Sequence, residues 1–100
     1  MQNELKDLYA FLAERYIDKL KNYDWVSKQQ ETSKEHILFL LREIKNKENF
    51  KSIDKLARLF GYIQGILTVH EVISVQEERN FTRPYFQKIY KKHGIEQETI

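Results

Sequence analysis

Residues 52–77, SIDKLARLFGYIQGILTVHEVISVQE, decide the fold class. Ile53, Leu56, Ala57, Phe60, Ile63 and Leu67 recur at three- and four-residue steps, with Leu59 and Ile66 alongside, which is the spacing of one helical face. Ser52, with Asp54 close behind, supplies the start signal of that helix. Residues 67–73 are rich in β-branched side chains and read as a strand on propensity alone. A lone strand has no pairing partner in this chain and would not be stable. Ser74 and Glu77 carry the S-x-x-E pattern of a capping box, in which hydroxyl and carboxylate satisfy each other's free backbone donors. The segment is therefore a tight connection between two helices, with Ser74 beginning the second.

Working outward, the first segment sets Leu5, Leu8, Tyr9, Leu12, Tyr16, Leu20 and Tyr23 on one helical stripe, which predicts an amphipathic helix over about residues 3–22. Residues 22–27 lose that periodicity and form a linker, with Trp25 over the edge of the core. Thr32 and Glu35 have capping-box spacing, so a second helix starts there, buries Ile37, Leu38, Leu40, Leu41 and Ile44, and ends over residues 46–49. On the C-terminal side, Pro84 suits a first helical turn, which favours a break with Thr82 capping a new helix. Tyr85, Phe86, Ile89 and Tyr90 continue that helix, Lys91 and Lys92 suit the negative end of its dipole, and Gly94 is its C-cap. The expectation is an all-α, compact bundle of four or five helices, a single domain over residues 1–95 with a frayed tail at 96–100.

Composition agrees with that reading. Three glycines and one proline in 100 residues are too few for the turns of a sandwich or barrel. Seventeen basic against fifteen acidic residues give a net charge of +2, too balanced for a dedicated nucleic-acid binder. The chain has no cysteine, which excludes disulfides and thiolate chemistry and makes the cytoplasm the default expectation. No apolar run approaches the length of a membrane span.

Catalytic patterns are missing. His36, His70 and His93 fall on three different elements without metal-ligand spacing, so no metal or other cofactor is expected. No nucleophile elbow or phosphate-binding glycine loop is present, and Gly61-Tyr62-Ile63-Gln64-Gly65 lies within helical periodicity. Gly61 and Gly65 share one helical face, which predicts close approach of another helix. Glu14, Asp18, Glu43 and Glu48 sit among lysines and read as solvated faces.

One group of residues is less easily assigned to the surface. Arg58, Tyr62 and Gln64 precede the connection, and Glu78, Arg79, Arg83 and Tyr85 follow it. One reading is an arginine–glutamate network locking the helix pair. The other is a binding site in which Arg58, Arg79 and Arg83 clamp a phosphate and Tyr62 or Tyr85 stacks a base. Thirteen aromatics favour a third use, since Tyr, Trp and Arg dominate interface energies, and Trp25, Tyr62 and Tyr85 are candidate contact residues.

Residues 55–84 resemble a pattern found in small, mostly uncharacterised phage-encoded proteins. The match runs through Arg58, Phe60, Gly61, Tyr62, Ile63, Gln64, Gly65, Ile66 and Leu67, then Ser74, Glu77, Arg79, Arg83 and Pro84. Such proteins commonly have glycine at the turn, where this chain has His70 and Glu71. The resemblance implies no activity, substrate or cofactor. It implies a non-enzymatic factor, acting in the host cytoplasm, that binds and inhibits a host protein, including components of defence systems. A module that sequesters a small phosphorylated ligand is the alternative, nucleic-acid binding through the mildly basic second half is a weaker second one, and self-association is compatible with the first two.

Overall fold

The apolar stripe of the first segment winds into α1 (Gln2–Leu20), which buries Leu5, Leu8, Leu12, Ala13, Tyr16 and Leu20. The computed structural model describes residues 1–95, apart from the Lys47 side chain, and the expected tail at 96–100 lies outside them. After α1 come α2 (Lys34–Lys45), α3 (Ile53–Val69) and α4 (Val75–Lys92), with single 3₁₀ turns at Gln30–Thr32 and Lys47–Asn49. No strand occurs among the described residues, and residues 67–73 are the end of α3 and its exit, as the capping signal at Ser74 required.

Packing is centred on α1. It meets α2, α3 and α4, whereas α3 and α4 make little backbone contact with each other despite their short connection. Ile37, Leu41 and Ile44 of α2 and Leu56, Phe60, Ile63 and Leu67 of α3 close the core with Val72 and Ile73 from the connection. Each such apolar side chain contributes roughly 1.5–3 kcal/mol by leaving water. In α4 the only fully buried residue is Glu78, so this helix is held by aromatic and polar contacts to α1 instead of an aliphatic stripe.

Two helix-end expectations need correction. The cap of α2 is Ser33, whose Oγ accepts from the His36 N–H at 3.2 Å. The Thr32 hydroxyl instead donates to the Gln29 carbonyl within the preceding 3₁₀ turn, so the capping signal was displaced by one residue. Pro84 does not break the chain into a fifth helix, since α4 runs through it. The proline removes one donor, but its side chain lies on the exposed face. Phe81 and Phe86 pack on the core from either side of it, so the helix gains more by continuing.

The exit of α3 is a Schellman turn: Val72 N–H donates to the Leu67 carbonyl at 2.9 Å and Glu71 N–H to the Thr68 carbonyl at 3.1 Å. Glu71 takes the left-handed conformation, φ 59°, where glycine is the usual occupant. The same turn ends α4, there with Gly94 at φ 71° and Ile95 N–H on the Tyr90 carbonyl at 2.8 Å.

Gly61 and Gly65 do not receive a neighbouring helix. Both are exposed, and a Cβ built on either meets nothing within 4 Å, so the expected close packing is absent. The reason is that α3 turns Leu56, Phe60, Ile63 and Leu67 toward α1 and leaves the glycine face outward. Gly61→Ala and Gly65→Ala should therefore each raise stability by up to about 1 kcal/mol. Glu71→Gly should stabilise as well, by about 1 kcal/mol, because it relieves the left-handed residue. Urea unfolding followed by circular dichroism checks all three. Loss of stability in the alanine variants would show that the glycine face is covered.

Candidate functional site

Buried polar chemistry collects at the α1/α4 contact. Glu78 is only 4% exposed, although its position carries a charge. The Arg15 Nη1 donates to both of its carboxylate oxygens, at 2.9 and 2.7 Å, and the Tyr16 hydroxyl donates to Oε2 at 3.2 Å. Gln64 Nε2 then donates to the Tyr16 hydroxyl oxygen at 3.0 Å, tying α3 into the same chain. The Arg15 guanidinium also lies 3.8 Å from the Phe81 ring centroid, a cation–π contact. Among the described residues no buried side-chain polar atom lacks a partner.

This network corrects the expected one. Glu78 is held by Arg15 of α1, not by Arg58 across the connection or by Arg79 or Arg83 on its own helix. A clue was present in the sequence: Glu78 stands on the same stripe as Phe81, Tyr85 and Ile89, and a charge on an apolar stripe requires a buried counter-charge. Arg15 carries no such mark, since it sits beside Glu14 on an ordinary amphipathic helix.

Burial sets the ionisation of two tyrosines. It pushes the Tyr16 hydroxyl well above its ordinary value of 10, with the neighbouring Glu78 carboxylate adding to the rise and the Gln64 hydrogen bond opposing it. Burial also pushes Tyr9 up to about 12, with Tyr90 adding to it. A tyrosine raised above its unfolded value stabilises the fold fully below pH 10, and that contribution fades as pH climbs toward the folded value. Urea midpoints should thus fall between pH 8 and pH 11, and fall less steeply in Tyr16→Phe.

Because α3 and α4 stand apart, a cleft of about 270 Å³ opens between them, lined by Tyr9, Phe60, Gln64, Glu78, Arg79 and Phe86 among others. Tyr9 and Phe60 are tilted rings 5.1 Å apart, and Phe86 meets Tyr9 edge-on at 5.6 Å. Of the six expected binding residues, only Gln64 and Arg79 belong to this cleft. Arg58 and Tyr62 lie on the exposed face of α3 with Gly61 and Gly65, because residues four apart share a face and residues 60 and 64 point elsewhere. The Tyr62 hydroxyl donates to the Glu31 carbonyl at 3.0 Å. Arg83 is half-buried, and Tyr85 faces α1.

A second feature lies on the α1/α4 surface. Phe11 is 47% and Tyr85 42% exposed, and both contact the Phe81 ring, with centroids 6.5 and 5.5 Å away. Beside them runs an open groove of about 610 Å³ whose floor includes Leu8 and Ile89 and whose lips carry Glu4 and Asp7 on α1 and Lys88 and Lys92 on α4. At its end His93 Nε2 lies 2.6 Å and Lys92 Nζ 3.2 Å from the Glu4 carboxylate. Hydrogen bonds from His93 and then Lys92 hold that carboxyl below its ordinary range. The three histidines are apart: His70 stacks on Trp25 at 4.7 Å, His36 lies by Phe39, and no set of three or more metal-ligating side chains gathers among the described residues.

None of the described helices is long and apolar enough to cross a membrane. No protein-family model matches the chain, and neither a curated protein nor a solved structure is significantly similar to it.

Proposed function

We propose that this chain is a non-catalytic binding module that docks on another protein through its α1/α4 aromatic face. The observation that carries the reading is the pair Phe11 and Tyr85, close to half exposed yet held in place by Phe81. Rigid aromatic anchors beside an apolar groove are what protein interfaces use, since they bring large contact area at little entropic loss. A groove between two helices with an acidic and a basic lip suits an amphipathic helix of the partner, laid in along its apolar stripe. The resemblance to phage-encoded factors adds the consequence: occupying that surface inhibits a host protein, within the host cytoplasm.

The test is affinity capture from host lysate with the parent chain, Phe11→Glu and Tyr85→Glu, and with Val26→Glu as a control at a residue 96% exposed and away from this face. A hot-spot residue is worth at least about 2 kcal/mol, so either face variant should weaken capture roughly thirtyfold while keeping the parent's helical signal. Equal capture by the face variants and the control would remove this face as the docking site.

A further inference from the structure

We infer that the α3/α4 cleft is a binding site for a nucleotide with an amino-bearing base, the base entering the cleft and its phosphate resting on Arg79. This site is separate from the α1/α4 docking face and stands or falls without it. The cleft has rings for walls, from Tyr9, Phe60 and Phe86. Its volume of about 270 Å³ lies near the lower end of small-molecule sites, roughly 300–1,000 Å³, so it suits the flat part of a ligand better than a whole nucleotide.

The polar atoms choose the orientation. The Thr68 hydroxyl already donates to the Gln64 carbonyl at 2.7 Å and the Thr82 hydroxyl to the Glu78 carbonyl at 2.8 Å, so each presents only oxygen lone pairs to the cleft. Gln64 spends one amide hydrogen on Tyr16 and keeps its oxygen as an acceptor beside its second amide hydrogen. Glu78 borders the cleft, but its carboxylate is turned to α1 and already accepts from Arg15 and Tyr16. The two threonine hydroxyls and the Gln64 oxygen thus offer acceptors beside the Tyr9 hydroxyl and one Gln64 amide hydrogen, and what satisfies the acceptors is a ligand bearing N–H groups. Arg79, exposed on the rim, is the cationic donor of the lining and is placed to meet an anion at the outer end of the same ligand. An aromatic ring with an exocyclic amine inside and a phosphate outside satisfies walls, floor and rim together. Uracil fits worse, because it brings a single N–H flanked by two carbonyl oxygens where an amine brings two hydrogens.

The experiment is calorimetric titration of the full chain with adenosine monophosphate, uridine monophosphate and adenosine, repeated on Arg79→Ala and Ala57→Phe. Ala57 lines the cleft and is half-buried, so a phenylalanine there fills the space without opening the core. Adenosine monophosphate should bind about tenfold more tightly than either adenosine or uridine monophosphate. Arg79→Ala should reduce it to the adenosine level, and Ala57→Phe should abolish binding while circular dichroism stays parental. The proposal is overturned if adenosine monophosphate fails to bind at millimolar concentration, if both nucleotides bind alike, or if Ala57→Phe leaves the affinity unchanged.

Discussion

Arg15→Ala should lower the unfolding free energy by about 3 kcal/mol, because it strands the Glu78 carboxylate in a low-dielectric site. The carboxylate keeps one weak donor, the Tyr16 hydroxyl at 3.2 Å, and loses both shorter bonds from Arg15. Phe81 loses its cation–π partner at the same time. In a chain of this size each kcal/mol moves the melting temperature by roughly 4–8 °C, so the effect is large in a thermal scan. The double variant Arg15→Met with Glu78→Leu removes the charge pair without stranding either member. Replacing a buried ion pair by apolar residues is often neutral or stabilising, so the double variant should be at least as stable as the parent to within about 1 kcal/mol. A loss below about 1 kcal/mol in Arg15→Ala would mean that solvent reaches Glu78 and that α4 is not fastened there.

Local signals in this chain were legible because each rests on neighbours in sequence. The stripe of α1, the cap at Ser52, the start of α4 at Ser74 and the turn at Gly94 all depend on residues within about five positions of one another. The strand-like run at 67–73 resolved correctly for the same reason, since the cap that follows it is local. What could not be read is pairing at long range. Arg15 and Glu78 are 63 positions apart, and nothing in either segment selects that partner over Arg79 one residue away. Adjacent helical residues point about 100° apart, so Arg79 faces the cleft rim while Glu78 faces α1. The same geometry separates Tyr62 from Gln64 and so dissolved the expected arginine and tyrosine clamp. Gly61 and Gly65 misled differently: they mark a face where backbone is bare, and a bare face does not say whether anything covers it. Pro84 was read by its local penalty alone, whereas Phe81 and Phe86 supply packing that outweighs it.

Phe60→Ala should be the most destabilising single truncation near the cleft, at about 4 kcal/mol. Phe60 is 3% exposed, stacks on Tyr16 at 5.3 Å with planes 9° apart, and meets Tyr9 at 5.1 Å. Its loss leaves a hole bordered on one side by the cleft, so the wall cannot collapse inward without moving α1 or α3. Phe86→Ala should cost less, since that ring is half-buried on α4, whose hold on the core is already slight. Urea unfolding of both variants gives the comparison, and equal losses would show that α4 packs as firmly as α3. Phe60 belongs at once to core and cleft, so a loss of nucleotide binding in Phe60→Ala would be inseparable from a loss of structure. Ala57→Phe, one turn earlier on the same face of α3, avoids that ambiguity by adding volume to the cleft and removing nothing from the core.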